Sequence, residues 1–257
     1  MPDPDDFRAA VEGWLDRLYI AAEGAGLREE DRRKARQVAA LLAEIARATR
    51  RVARGSPLLL VDAAAGKAYV GLLAARLVLD HRPSARVVTI ERDAARVAAS
   101  RLAAERLQAS PPIDCRAGDV ADRSVWPTSA TLVVALHACG AASDAVIDGT
   151  VASGARGLLL VPCCTGAAVE ASRVAARQAD RVGIPPHAPV RRRFIQAIVD
   201  AERTWRLEAA GYETEVVELV GATVTPHNLL WRARLVREPG RMARAAALLA
   251  RLRSETA

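Results

Sequence analysis

Residues 57–79 read PLLLVDAAAGKAYVGLLAARLVL. The run from Leu58 to Val61 consists of branched apolar residues and leads to an acid, Asp62. A turn of small residues follows, and then an apolar segment without a helix breaker until Asp80. A short run that is apolar on both faces is typical of a buried parallel strand. The stretch therefore predicts a strand, a tight turn and a helix whose first N–H groups can bind an anionic or polar ligand.

The composition predicts a cytoplasmic protein without a membrane span. The chain has 257 residues, of which 51% are hydrophobic and 26% charged. This size fits one large α/β domain with an appendage, or two small domains. No apolar run reaches the roughly 18 residues that a membrane span needs. The first residues, MPDPDDF, lack the basic and apolar regions of a signal peptide.

The cysteine pattern predicts free thiols and no metal site. Cysteine occurs at four positions: Cys115, Cys139, Cys163 and Cys164. Without a secretion signal, thiols are expected rather than disulfides. No Cys-x-x-Cys pair is present, so we expect no structural zinc.

Lysine is rare in this basic chain. Lys34 and Lys67 are the only lysines among 37 basic residues, and the formal net charge is +7. The arginine excess fits a codon preference and equally a polyanionic partner such as RNA. Lys67 lies in the turn after the first strand, where a flexible ammonium differs from a planar guanidinium.

Strands and helices alternate along the rest of the chain. The predicted strands are 58–61, 87–90, 113–120, 131–140, 154–164, 215–222 and 229–236. The main predicted helices are 6–23, 28–54, 94–107, 143–153, 167–180, 194–210 and 239–254. This order predicts a doubly wound α/β fold with a mostly parallel seven-stranded sheet. Because a short turn joins the last two strands, the last strand should be antiparallel. We expect three parts: an N-terminal helical cap at 1–55, the sheet domain at 56–238 and a basic C-terminal helix at 239–257.

Acids follow the first three strands, where ligands bind in open α/β sheets. They are Asp62, Glu91 and Asp119. An acid after the second strand can accept both ribose hydroxyls, and Asp119 can accept from an exocyclic amine such as adenine N6. This order predicts a cofactor that contains adenosine. A dinucleotide would need G-x-G-x-x-G, whereas this turn has only Gly66. The seven-strand arrangement with a final antiparallel hairpin instead favours S-adenosylmethionine (SAM).

Three motifs resemble one family. They are D-A-A-A-G-K-A-Y-V at 62–70, H-A-C-G-A-A-S-D at 137–144 and the pair Cys163-Cys164. The chain resembles the class I SAM-dependent methyltransferases, and within them the branch with D-x-G-x-G-K-G-x-[LV], H-x-C-G-x-x-[ST]-D and Cys-Cys. That branch includes the eukaryotic tRNA ribose 2′-O-methyltransferases that act on the acceptor stem. The resemblance covers roughly residues 33–236 and includes Asn228 before the last strand.

The resemblance implies a role for each motif residue. The cofactor-binding residues would be Asp62, Ala64, Gly66, Glu91, Asp119, Val120 and His137. The substrate-binding residues would be Cys139, Cys163, Cys164 and Asn228. Arg191 is added because the arginine run 191–193 should lie beside the expected substrate face. A hydroxyl acceptor needs its proton removed, and His137 is the best base on pKa grounds. Lys67 and Asp144 are rival bases, and an equally supported interpretation is that His137 only orients the Cys139-Gly140 turn.

The chain also departs from the family. Ala64 and Ala68 stand where the family has glycines, so the Ala64 methyl group should crowd the cofactor or shift the turn. The zinc-finger segments of the tRNA enzymes are missing, so the tRNA substrate does not transfer with the motifs. Three functions stay open. The first is an RNA methyltransferase, which the net charge and the arginine run 191–193 suggest. The second is a small-molecule or protein methyltransferase whose pocket the N-terminal helices and the loop 183–193 would close, and the third is a non-catalytic binding module.

Overall fold

The computed structural model describes residues 3–20, 26–52, 57–163, 166, 168–187 and 189–254. Over these ranges, the chain forms one seven-stranded sheet and eight α-helices. The strands are β1 (Leu58–Ala63), β2 (Ala85–Glu91), β3 (Ile113–Ala117), β4 (Leu132–Ala138), β5 (Gly157–Pro162), β6 (Tyr212–Glu218) and β7 (Leu229–Leu235). The helices are α1 (Pro4–Leu15), α2 (Glu29–Val52), α3 (Tyr69–Leu77), α4 (Ala94–Leu107), α5 (Ala141–Ala152), α6 (Glu170–Arg181), α7 (Pro189–Ala209) and α8 (Pro239–Ser254).

The sheet has the order β3-β2-β1-β4-β5-β7-β6. Strands β1 to β5 pair in parallel, and β7 is antiparallel to both of its neighbours. This confirms the predicted doubly wound sheet with an antiparallel last strand. The strand order reverses between β1 and β4, and ligands in such sheets bind at that switch point, beyond the carboxyl ends of the strands.

Alternate residues of the central strands face two separate cores. Leu60 of β1 is fully buried with Leu41 and Leu42 of α2. Val61 faces the other side of the sheet and packs in the same core as Val146 of α5. The period of two along a strand explains this division. Helix α2 thus shares a core with the sheet, and the boundary at residue 55 stays a prediction.

Two elements begin at least three residues earlier than the sequence pattern indicates. Helix α7 begins at Pro189 rather than at 194, because proline is well suited to the first turn of a helix. The arginine run 191–193 is therefore helical rather than part of a loop. Strand β6 begins at Tyr212 rather than at 215. The buried Tyr212 hydroxyl donates to the Ala155 carbonyl at 2.7 Å, which ties the start of β6 to the turn before β5.

The first predicted helix has two parts. It is α-helical to Leu15 and continues as a short π-helix over Asp16–Ile20. Such segments occur frequently at functional sites, and this one carries Tyr19 towards the turn after β1. In the described part of the chain, no helix is both long enough and apolar enough to cross a membrane.

Candidate active site

A cavity of about 460 Å³ lies at the carboxyl ends of β1 and β4. Its walls come from these strands, from the turn between β1 and α3, and from α2. The lining includes Lys34, Gln37, Asp62, Lys67, Tyr69 and His137. Three of these were predicted site residues, so the fold brings Asp62, Lys67 and His137 into one cavity. Within the described ranges, no cluster of His, Cys, Asp and Glu suits a metal ion.

The turn after β1 keeps a glycine-like shape although two of its positions are alanine. Ala64, Gly66 and Ala68 have φ angles of 54°, 59° and 56°. A left-handed conformation costs a non-glycine residue about 1–2 kcal/mol. Backbone hydrogen bonds hold the turn: the Ala65 N–H donates to Ile90 O at 3.0 Å, and the Ala68 N–H donates to Ala65 O at 2.8 Å. The surrounding structure therefore imposes on Ala64 and Ala68 a conformation that glycine adopts more readily.

Asp62 is a buried carboxylate at the base of the cavity. Its side chain accepts the Gly71 N–H at 2.7 Å, and the residue is only 1% exposed. Burial raises its pKa to about 7; the Gly71 N–H opposes this rise, and the nearby Glu91 adds to it. A Cβ atom at Gly71 would lie 2.9 Å from the Thr89 side chain and 3.0 Å from Asp62 Cβ. Only glycine at this position lets α3 approach Asp62 closely enough to donate this hydrogen bond.

Glu91 connects the ends of β1 and β2. One carboxylate oxygen accepts the Gly66 N–H at 2.8 Å, and the other accepts the Asp93 N–H at 3.0 Å. The residue is buried at the carboxyl end of β2. Each carboxylate oxygen retains further acceptor capacity, so Glu91 can hold the turn and still accept hydroxyl groups.

Asp119 and Val120 follow β3 at the same edge of the sheet. The Asp119 carboxylate is half-exposed and accepts the Ala121 N–H at 2.9 Å. Val120 is buried, and its carbonyl accepts the Trp126 indole N–H at 2.9 Å. Their role in holding the base of the cofactor stays a prediction.

His137 lies at an irregularity near the end of β4. The pairing of β4 with β5 shifts between Leu136 and Ala138, and His137 has a φ of 60°. Its Nε2 atom lies within hydrogen-bond distance of Gln37 Oε1, at 2.5 Å. Burial lowers the pKa of His137, and the charges of His227 and Lys34 lower it further. The imidazole is therefore neutral at pH 7, as a general base must be.

The two lysines of the chain both line the cavity. The Lys34 Nζ lies 5.1 Å from the Tyr69 ring centroid, and the Lys67 Nζ lies 5.6 Å from that of Tyr19. The Tyr19 hydroxyl donates to the Lys67 carbonyl at 2.6 Å, so the N-terminal helices contact the turn directly. Sequence reasoning selected Lys67 but missed Lys34 and Gln37. The rarity of lysine could have identified Lys34, whereas no sequence signal marks Gln37.

Asp144 lies in an ion-pair network between α5 and α7. Its carboxylate accepts from Arg203 at 3.1 and 3.3 Å and from Arg206 at 3.1 Å. Arg203 is completely buried and also donates to the Gly140 carbonyl at 3.3 Å. Two guanidinium groups therefore bind the Asp144 carboxylate and hold it between α5 and α7. Its role as a base stays a prediction with less support than that of His137.

The prediction of free thiols is wrong for one pair of cysteines. Cys139 and Cys163 form a disulfide, with a Cα–Cα distance of 5.3 Å. They follow β4 and β5, and because these strands are neighbours, their ends bring the two residues within bonding distance. Cys115 is a buried free cysteine, and Cys164 lies outside the described residues.

Asn228 and Arg191 make contacts within their own segments. The Asn228 amide donates to the Val220 carbonyl at 2.9 Å and so closes the turn between β6 and β7. Arg191 pairs with Asp180 at 2.7 Å. It also donates to the carbonyls of Ile184 and Ala176 at 3.0 and 3.1 Å. Both side chains hold loops near the expected substrate side, and their contact with substrate stays a prediction.

A family model described as a methyltransferase domain matches residues 33–170. The chain belongs to this methyltransferase family. The matched range extends from α2, which carries Lys34 and Gln37, to the start of α6. It therefore includes every residue named above as lining the cavity. No curated protein matches this methyltransferase in sequence.

Solved methyltransferase structures share the fold at low sequence identity. The SAH-bound methyltransferase PaMTH1 from Podospora anserina is 13% identical, with a TM-score of 0.51 over 92% of this chain and 89% of that one. The CMeT domain of the citrinin polyketide synthase is 11% identical, with a TM-score of 0.52 over 91% and 66%. The SAH-bound magnesium protoporphyrin IX methyltransferase from Synechocystis PCC 6803 is 15% identical, with a TM-score of 0.49 over 90% and 97%. At this sequence identity, the similarity to these structures shows a shared fold and not a shared substrate.

Proposed function

We propose that this methyltransferase binds SAM in the cavity beyond β1 and β4 and transfers its methyl group to RNA, at a ribose hydroxyl or a base. The observation that carries the cofactor assignment is the row of acids at consecutive strand ends: Asp62, Glu91 and Asp119. Asp62 precedes the turn after β1, Glu91 accepts the Gly66 N–H of that turn, and Asp119 follows β3 at the same edge of the sheet. PaMTH1, which shares the fold, was crystallised with SAH, the product of SAM.

Each acid has a distinct role in this proposal. Asp62, Ala64 and Gly66 hold the methionine end of SAM, and Glu91 accepts the ribose hydroxyls. Asp119 and the backbone at Val120 hold the adenine. SAM supplies an activated methyl group, and methyl transfer is an in-line displacement, so much of the catalysis comes from positioning.

His137 is the proposed general base for a hydroxyl acceptor. It is neutral because burial, Lys34 and His227 lower its pKa, and it lines the cavity that would hold the methyl donor. Lys67 lines the same cavity and is the rival base. Asp144 is the third candidate, but Arg203 and Arg206 bind its carboxylate.

A cationic cleft supports RNA as the acceptor. The cleft has a volume of about 470 Å³ and is lined by Arg173, Arg191, Arg192 and His187. Two of these arginines also pair with carboxylates, Arg173 with Glu170 and Arg191 with Asp180. Gly166, which also lines it, lies three positions after Cys163 at the end of β5. The arginines of the cleft could bind RNA phosphates. The net charge of +7 also favours binding to a polyanion.

We expect Glu91→Gln to weaken SAM binding by about tenfold or more, because a carboxylate–hydroxyl hydrogen bond contributes about 1.5–3 kcal/mol. The glutamine keeps the side-chain volume, but its single oxygen can accept only one of the Gly66 and Asp93 N–H groups. Circular dichroism therefore first checks that the variant is folded. Isothermal titration of SAM at neutral pH measures the change. Glu105→Gln, at an exposed position of α4, is the matched control and should bind like the wild type. A folded wild type that does not bind SAM would contradict the proposal and favour a non-catalytic module.

We expect the double variant Arg173→Ala/Arg192→Ala to bind cellular RNA more weakly in filter binding. Two lost phosphate contacts should reduce the slope of log affinity against log salt by about 1.4 for single-stranded RNA. Arg177→Ala/Arg193→Ala removes the same charge from exposed positions of the same two helices, α6 and α7, and should retain the slope. Equal losses in both variants would mean that general charge, rather than the cleft, attracts RNA.

A small-molecule acceptor is the second candidate. The N-terminal helices contact the turn after β1 through the hydrogen bond from Tyr19 to Lys67, and α2 reaches His137 through Gln37. These contacts cover the cavity as a lid would. The CMeT domain with the same fold belongs to a polyketide synthase. SAM binding without salt-sensitive RNA binding would favour this candidate.

A further inference from the structure

His137 has a backbone conformation that redirects its side chain. At the irregularity in β4, Leu136 pairs with Val161 and Ala138 pairs with Pro162, which leaves His137 as an extra residue. Its φ of 60° is uncommon for a residue with a side chain. Bulges next to active sites commonly re-aim a side chain, and strained residues cluster where function requires them. The local strand geometry thus turns His137 towards α2 and the cavity.

Gln37 is the residue that meets His137 there. It is buried on α2, and its Oε1 atom lies 2.5 Å from His137 Nε2, 100 positions away in sequence. An amide oxygen only accepts hydrogen bonds, so the proton of the neutral imidazole lies on Nε2. The other ring nitrogen, Nδ1, makes no hydrogen bond within the described residues. This nitrogen therefore carries a free lone pair.

We propose that Gln37 is a positioning residue that holds His137 in the Nε2–H tautomer and presents Nδ1 as the basic atom of the active site. The role of this contact in catalysis rests on the proposed methyl transfer. The tautomer of His137 does not depend on that proposal. A general base acts through one defined atom within reach of the proton. The partner of the second ring nitrogen decides which atom that is.

The surroundings of His137 favour the neutral imidazole, which is the form that can act as a base. Lys34 on α2 and His227 before β7 oppose a positive charge on the ring. Asp62 and Lys67, from β1 and its turn, line the same cavity. No carboxylate is hydrogen-bonded to the imidazole in the described structure. Gln37 thus orients the ring without the charge by which a carboxylate would raise its pKa.

Nitrogen NMR of the full chain labelled at histidine tests the tautomer directly. The chain has four histidines, so single His→Gln variants assign the signals. We expect wild-type His137 to show the Nε2–H pattern at neutral pH, and Gln37→Met to show a mixture of tautomers. Gln178→Met, a half-buried position on α6, is the matched control and should leave the pattern unchanged. An Nδ1–H pattern in the wild type, or a pattern insensitive to Gln37→Met, would overturn the proposal.

Gln37→Glu supplies a second variant that keeps the hydrogen bond. Its carboxylate should raise the pKa of His137 by about one unit or more, and an unchanged pKa would overturn the direct contact. With cellular RNA as acceptor and labelled SAM, Gln37→Met should lower kcat about tenfold at an unchanged KM for SAM. If the wild type transfers no methyl group, the proposed function fails, and the NMR result still decides the role of Gln37.

Discussion

Asp144→Ala is expected to lower the free energy of unfolding by about 3–5 kcal/mol, since removing one partner of a buried ion pair leaves the other charge uncompensated. The uncompensated charge would be that of Arg203, which is 0% exposed. Of its hydrogen bonds to Asp144 and Gly140, it would retain only the one to the Gly140 carbonyl. Arg206 would lose the same partner but is more exposed and retains Asp148 and Glu202. Urea unfolding measures the loss.

The same network provides a control for Asp144. Asp148 pairs with Arg206 but is 53% exposed, so Asp148→Ala should cost less than about 1 kcal/mol. The comparison also separates a structural Asp144 from a catalytic one. An Asp144→Ala protein with wild-type stability, normal SAM binding and no methyl transfer would contradict our interpretation and restore Asp144 as the base.

Asp62→Asn is expected to remove a pH dependence of stability from the wild type. The pKa of Asp62 is raised by burial to about 7, above its usual value. The folded state therefore binds a proton that the unfolded state releases. The stabilisation from this proton is fully present below pH 4 and is lost as the pH rises to about 7. Over about three pH units, the loss amounts to up to about 4 kcal/mol.

Denaturant unfolding between pH 4 and 8 measures this difference. The two proteins should be similar at the acid end, because neutral aspartic acid and asparagine both accept the Gly71 N–H. Asparagine should be the more stable at the alkaline end. Asp122 offers a control without a slope in this range: the Ser124 N–H lowers its pKa, so its stabilising effect is present above its unfolded pKa and is lost only at more acid pH than the range measured. Parallel curves for Asp62→Asn and the wild type would mean that Asp62 is ionised in the folded protein.

Much of the fold followed from short-range patterns. The apolar run from Leu58 to Val61, and the runs like it, predicted the strands, because a strand buried on both faces must be apolar throughout. The short turn before Leu229 predicted the antiparallel last strand, since only antiparallel strands can be joined so briefly. The boundary of α7 differed because Pro189 begins the helix. That of β6 differed because the Tyr212 hydroxyl finds its partner at Ala155, elsewhere in the fold.

The sequence by itself determined the doubly wound sheet and the acids at its strand ends, since both depend on the local order of apolar and polar residues. Only the tertiary structure decided which neighbours these residues meet. Gln37 and His137 are 100 positions apart, Asp144 and Arg203 are 59 apart, and Cys139 and Cys163 are 24 apart. Such contacts arise when helices pack on the sheet and neighbouring strands end together. No local pattern of residues encodes them, because they depend on the relative placement of elements that are distant along the chain.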